Sequence, residues 1–230
     1  MKNALITGAS SGIGLATAKL MLSSGARVTG MARDFAETEC AGMQQVSVDL
    51  SELDSLPNTL QRQDALNQPF DCLILNAGYG RFGGIEQFSH QQIRHLVDVN
   101  LISNLFLLKH YLPRFKRNGG QDIVLIGSES ALSGGRQGAV YCASKFAIRG
   151  LAQSLRADCA NNDIRVILVN PGAVASDFFD DLHFHPSRGE EFAISVDSVA
   201  QTIVSALQQP RTTVIEEINL QPIKKAYQKR

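Results

Sequence analysis

The chain has 230 residues, 44% of them hydrophobic, and its 22 Lys plus Arg balance 22 Asp plus Glu. That length suits one large domain spanning 1–230, and zero net charge supplies none of the basic footprint that nucleic-acid binding usually needs. No apolar run reaches the ~20 residues that span a bilayer, Gly8, Gly12 and Gly14 interrupt the apolar start where a secretory leader would be unbroken, and Cys40, Cys72, Cys142 and Cys159 show no C-x-x-C spacing. A cytoplasmic protein with reduced thiols is expected, with neither nucleic acid nor membrane as partner.

The first apolar run, 4–7, ends in Thr7-Gly8-Ala9-Ser10-Ser11-Gly12-Ile13-Gly14, and a helical stretch at 14–24 follows, closed by Gly25. Further apolar runs recur at 27–31, 46–48, 72–76, 123–127, 165–170 and 213–218. Most are continuous and rich in Val, Ile and Leu, as strands buried on both faces are. Helical stretches separate them at 51–65, 91–116, 139–160 and 196–208, the last preceded by the cap candidate Ser195 and stopped by Pro210. Alternating strand and helix implies a parallel sheet with helices on both faces, an α/β fold of about seven strands. Residues 177–191 form the least regular stretch, and the basic tail at 224–230 reads as a solvated end that frays.

Position makes the first glycines informative. A glycine turn between a first parallel strand and a helix lets backbone approach a pyrophosphate, and the helix start adds free N–H groups and a positive dipole end. Gly12 and Gly14 permit the approach, while Ser10 and Ser11 offer hydroxyls. The spacing, G-x-x-x-G-x-G, departs from the common G-x-G-x-x-G. Tyr141 and Lys145 stand four apart at the start of a helix, so they share one face. A nearby ammonium favours phenolate and draws the phenol toward the working range of a general acid/base. Ser128 follows the 123–127 run, at the carboxyl end of a strand, where α/β sheets bind ligands. Ser130 and Ser133 lie close to it.

Together these motifs resemble the short-chain dehydrogenase/reductase family over nearly the whole length. Thr7-Gly8-x-x-x-Gly12-x-Gly14 resembles its cofactor turn, Asn76-Ala77-Gly78 its N-A-G motif, and Asn100 its helix asparagine. Ser128 stands at the family's separation from the tyrosine, Tyr141 and Lys145 match Y-x-x-x-K, and Asn170-Pro171-Gly172 matches the segment after the sixth strand. The resemblance implies a Rossmann-type doubly wound sheet and a hydride transfer between nicotinamide and a small carbonyl or alcohol substrate. It gives Tyr141 the proton exchange, Lys145 the nicotinamide ribose, Ser128 the carbonyl, and Asn100 a water linking Lys145 to solvent. Gly8, Ser10, Ser11, Gly12, Ile13 and Gly14 would hold the pyrophosphate. Asn76, Ala77 and Gly78 would line the adenosine side, Asp49 and Leu50 the adenine, and Pro171, Gly172, Val174 and Ser176 the nicotinamide carboxamide and pyrophosphate.

The second strand leads into Ala32-Arg33-Asp34. Ala32 stands where NAD-binding relatives carry an acid for the ribose hydroxyls, and Arg33 suits a 2′-phosphate. NADP(H) is therefore expected over NAD(H), with Asp34 as the feature favouring NAD. An exposed pair of Arg33 with Asp34 or Glu37 is the plain alternative. Asp180, Asp181, His183 and His185 look like metal ligands but lack a third anchored ligand, so no metal is expected. Phe178, Phe179 and Phe184 suggest an apolar lid. His90, His95 and His110 read as surface or interface residues. A non-catalytic nucleotide sensor would show a broken tetrad, and an epimerase a second domain; all four tetrad residues are present. A homodimer or homotetramer is expected through the helices at 91–116 and 139–160, which resemble those pairing in the family.

Overall fold

The computed structural model describes residues 2–66 and 68–229. Strands β1 (Asn3–Thr7), β2 (Arg27–Ala32), β3 (Gln44–Ser47), β4 (Cys72–Leu75), β5 (Asp122–Ile126) and β6 (Arg165–Pro171) alternate with helices α1 (Gly12–Ser23), α2 (Leu56–Leu66), α3 (His90–Val97), α4 (Ser103–Asn118) and α5 (Ala139–Cys159). The short strands β7 (Val174–Ala175), β8 (Phe184–Pro186) and β9 (Ile194–Ser195) follow, then helix α6 (Val196–Leu207), β10 (Glu217–Leu220) and β11 (Tyr227–Lys229). Seven strands form one parallel sheet in the order β10-β6-β5-β4-β1-β2-β3. This is the Rossmann-type sheet anticipated above.

Both faces of the central strands are buried because successive side chains alternate between two apolar layers. On one face Ala4 and Ile6 of β1, Ile74 of β4 and Val124 of β5 pack with Val199 and Ile203 of α6. On the other, Leu5, Leu73 and Leu125 pack with Leu107 and Tyr111 of α4 and Ile148 and Ala152 of α5. That is why these strands read as unbroken hydrophobic runs. Among the described residues, no helix is long and apolar enough to cross a membrane.

Three expectations are refined. The helical stretch expected at 91–116 runs from His90 to Asn118, and within it a π-helical turn, Asp98–Ile102, joins α3 to α4 and buries Asn100. The last sheet strand lies at Glu217–Leu220 rather than 213–218. It is an edge strand paired only with β6, so its apolar content is low and the run misplaces it. In the tail Lys224, Lys225 and Lys229 are exposed, as expected, but the segment is held rather than frayed, because β11 pairs antiparallel with β8.

The sheet order reverses between β1 and β4, since the chain moves outward to β2 and β3 and then returns to β4. At such a switch point the loops leave in opposite directions and open a crevice at the strands' carboxyl ends. The amino ends are closed by ion pairs. Asp122 and Arg165, register partners opening β5 and β6, are bonded at 2.7 and 3.1 Å, and Lys2 and Arg211 also reach Asp122.

Candidate active site

A cavity of about 1170 Å³ runs along the carboxyl ends of the strands. Its nucleotide-side wall begins at the glycine turn. Gly8 has φ +64, a left-handed conformation that glycine adopts without penalty, and its N–H donates to Met31 O at 2.7 Å. A Cβ on Gly14 would lie 2.1 Å from the Gly8 carbonyl oxygen, so only glycine lets α1 start this close to the turn. Gly8, Ser10, Ser11, Gly12 and Ile13 line the cavity, whereas Gly14 stands behind it as packing. Ser11, the N-cap of α1, makes no side-chain cap bond, and the first turn holds no acidic residue. The orphan N–H groups of that turn are therefore open to an anion. This chemistry fits a dinucleotide's pyrophosphate.

Asn76 also braces the turn. Its Nδ2 donates to Thr7 O and Gly8 O, both at 3.0 Å, so the side chain fixes the glycine turn to the end of β4. Thr7 Oγ1 in turn accepts from the N–H groups of Asn76 and Ala77, both at 3.0 Å. Asn76, Ala77 and Gly78 nonetheless line the cavity. Arg33, Asp49 and Leu50 line its far end. Arg33 makes no ion pair within 4 Å among the described residues. Asp34 Oδ1 accepts from Ala36 N at 2.8 Å and so serves its own turn. Burial raises the Asp49 carboxyl, but bonds from Ser51 and the charges of Arg33 and His95 outweigh it and hold it low. His95 is exposed, as expected, and also lines this end, where it packs on Tyr79 at 5.6 Å between ring centroids. His110 pairs with Asp64 at 2.8 Å.

At the other end Ser128, Tyr141 and Lys145 converge, all buried. Ser128 caps the 3-10 turn Glu129–Ala131, its Oγ accepting from Ser130 N at 3.1 Å. The α-helical spacing of Tyr141 and Lys145 places Lys145 Nζ 5.9 Å from the Tyr141 ring centroid. Nζ donates to Ile126 O at 3.0 Å, at the end of β5. The electrostatics differ from the expectation. Burial pushes the Tyr141 phenol up to about 12 despite a hydrogen bond with Ser128 that lowers it. Burial also brings the Lys145 ammonium down to about 8, which weakens the cation that was to lower the phenol.

Asn100 does not line the cavity. Its Oδ1 accepts from Tyr79 N and its Nδ2 donates to Tyr79 O, both at 3.0 Å, with Ser144 Oγ at 3.3 Å. Its carbonyl accepts from Asn104 Nδ2 at 2.9 Å. Its side chain therefore braces the backbone after Gly78 instead of facing the cavity. A Cβ on Gly78 would lie 3.2 Å from Asn100 Oδ1 and 3.5 Å from Lys145 Nζ, so glycine here lets both side chains approach the backbone closely. Pro171, Gly172, Val174 and Ser176 also line the cavity, with Ser176 beside the glycine turn, 3.6 Å from where a Cβ on Gly12 would lie, and its Oγ accepting from Phe178 N at 3.4 Å.

Sequence reasoning missed part of the substrate end. Phe82 packs on the Tyr141 ring at 5.2 Å and Phe178 at 5.9 Å. Glu129, Lys225 and Tyr227 also line the cavity, and no motif marks them. His185 Nδ1 lies 2.7 Å from Pro186 O, and the described residues hold no group of three or more metal-ligating side chains.

Comparison with known proteins fits this geometry. The sequence model of the short chain dehydrogenase family matches residues 2–185. Sepiapterin reductase of Chlorobaculum tepidum is 31% identical over 152 residues, 66% of this chain and 61% of that protein. An uncharacterized oxidoreductase of Staphylococcus epidermidis is 27% identical over 228 residues, 96% of this chain and 97% of that one. An alcohol dehydrogenase from the archaeon Thermococcus sibiricus, solved with 5-hydroxy-NADP, has a TM-score of 0.85 at 26% identity, covering 98% of this chain and 99% of that chain. Solved chains of the fold carry NADP in some cases and NADH in others. The chain accordingly belongs to the short-chain dehydrogenase/reductase family and is an NAD(P)-dependent oxidoreductase of that family.

Proposed function

We propose that this enzyme interconverts a carbonyl and an alcohol using NADP(H), with Tyr141 as the general acid/base. One observation carries the reading: Ser128, Tyr141 and Lys145 meet at the end of a cavity whose other end is an open helix N-terminus beside Arg33. The bound dinucleotide would supply or accept the hydride at the substrate carbon. The Ser128 and Tyr141 hydroxyls hold the substrate oxygen between them. Tyr141, which keeps its proton across the neutral range, gives that proton to the oxygen in reduction and takes it back in oxidation. Lys145, fixed on the Ile126 carbonyl, stands where its ammonium stabilises the phenolate left behind. The lid rings Phe178 and Phe184 exclude water from this exchange. The test is consumption of NADPH with a panel of ketones; failure to bind NADPH at all sinks the reading.

NADP(H) is favoured over NAD(H) because Ala32 offers no acceptor for ribose hydroxyls, Asp34 serves its own turn, and Arg33 lies at the cavity wall. Charge-assisted bonds contribute about 1.5–3 kcal/mol each. Arg33→Ala should therefore weaken NADPH by about 10- to 100-fold and NADH by less than threefold, read by fluorescence titration. Equal losses would remove Arg33 from this role.

The same reading includes a cytoplasmic location, supported by four unpaired cysteines, and a homo-oligomer. Leu105 of α4 and Phe146 of α5 are 39% and 44% exposed, large apolar side chains on the two helices expected to pair. Light scattering should give at least twice the 25.0 kDa chain mass. A monomer at micromolar concentration contradicts this.

A further inference from the structure

We propose that the C-terminal segment around β11 is a fixed wall of the substrate pocket, and that Tyr227 completes an aromatic box selecting a flat, aryl-bearing carbonyl substrate. This rests on the oxidoreductase reading above and names its substrate class.

The wall is anchored from both sides. β11 pairs with β8 through Tyr227↔Pro186, Gln228↔His185 and Lys229↔Phe184. Ser187 N donates to Ala226 O at 2.9 Å, and Lys224 N to Glu191 O at 2.8 Å, so the tail ties down the second half of the irregular loop. Across the pocket, Lys225 Nζ donates to Glu129 Oε2 at 2.5 Å and Tyr227 Oη to Glu129 Oε1 at 3.2 Å. Burial first, then the Glu129 carboxylate, pushes the Tyr227 phenol up, so it stays protonated and remains the donor. Glu129 directly follows Ser128. A tail residue is thereby held against the segment that carries the substrate-orienting hydroxyl.

The rings form a continuous surface. Tyr227 meets Phe184 edge-on at 5.6 Å, Phe184 meets Phe82 edge-on at 5.1 Å, and Phe82 meets Tyr141 at 5.2 Å. Phe178 also packs on Tyr141, at 5.9 Å. A Cβ on Gly80 would lie 2.4 Å from Phe178 Cζ and 2.9 Å from Phe82 Cε2, so glycine there is what admits both rings. Lys225 and Tyr227 neutralise and satisfy Glu129, which would otherwise place an uncompensated carboxylate beside the apolar rings. Tyr227 is 40% exposed and lines the cavity, so one face of its ring remains available to a ligand. Edge-to-face and offset stacking reward a planar aromatic guest beyond the area it buries.

The test measures binding by calorimetry, with the protein alone and again with NADP⁺ present, using 2-acetylnaphthalene and butanone as probes. The wild type should bind the naphthyl ketone at least tenfold more tightly. Tyr227→Ala should weaken the naphthyl ketone by about tenfold and butanone by less than twofold. Tyr227→Phe keeps the ring and should stay within threefold of the wild type. Equal losses for both ketones, no loss in Tyr227→Ala, or a Tyr227→Phe loss as large as that of Tyr227→Ala overturns the box. Failure of the oxidoreductase reading shows separately: a protein that binds the naphthyl ketone as stated but oxidises no NADPH with any ketone overturns the activity and leaves the box standing.

Discussion

Tyr141→Phe is expected to lower kcat/KM for carbonyl reduction by about 10³-fold, roughly 4 kcal/mol of transition-state stabilisation. The ring should remain in place, since Phe82 and Phe178 both pack against it at tilted angles rather than through its hydroxyl. Only the proton donor is removed. Cofactor affinity should stay within about twofold, because the glycine turn, Arg33 and Lys145 are untouched. Burial holds the Tyr141 proton to about 12 in this state, so the phenol is a poor acid until something stabilises its phenolate. Lys145 is the candidate, yet its own ammonium is brought down to about 8 by burial. The two groups must therefore act as a pair, with the charge on Lys145 and the proton on Tyr141 adjusted together. Single-turnover reduction at matched NADPH saturation reads this directly. Turnover within tenfold of the wild type would take Tyr141 out of the proton transfer.

The sequence carries some parts of this molecule more plainly than others, for physical reasons. β1, β4, β5 and β6 are legible because burial on both faces keeps their middle residues apolar, with polar side chains only toward the strand ends. The glycine turn is legible because a left-handed Gly8 and a Gly14 without room for a Cβ leave glycine as the only solution. Tyr141 and Lys145 are legible because helical spacing alone puts them on one face. The π-helical turn at Asp98–Ile102 is not, since no residue there breaks the helical pattern. It is visible only once Asn100 is seen reaching the Tyr79 backbone from inside it. The docking of the tail is not legible either. Tyr227-Gln228-Lys229 shows no alternation, and its partners Phe184 and Glu129 are distant in sequence, so nothing local signals the strand. Burial, rather than spacing, also decides the direction of the Tyr141 shift, and burial is a property of the whole fold.

Asp122→Asn should destabilise the protein by about 3 kcal/mol, near 10 °C in Tm for a chain of this size, while leaving kcat unchanged once folded. Asp122 is 1% exposed at the amino end of the sheet, away from the cavity, and accepts from Arg165, Lys2 and Arg211. Arg165 is itself 2% exposed, and its guanidinium also donates to Leu207 O at 2.9 Å and Gln209 O at 2.8 Å. Those carbonyls satisfy N–H groups but carry no charge. Removing the carboxylate therefore strands a cation in the interior, and this stranding supplies most of the expected loss. The same site fixes a pH dependence. Burial raises the Asp122 carboxyl, but the bonds and charges of Arg165 and Lys2 outweigh it, so its folded value is depressed. A depressed folded value means the contribution is present above the unfolded carboxylate's pKa of about 4 and is lost as pH falls through the lower folded value. Wild-type and Asn-variant Tm should differ most near neutral pH and converge in acid. A difference that persists unchanged in strong acid would show that packing, not charge, makes Asp122 matter. A loss below 1 kcal/mol at pH 7 would mean that Leu207 and Gln209 suffice to hold Arg165.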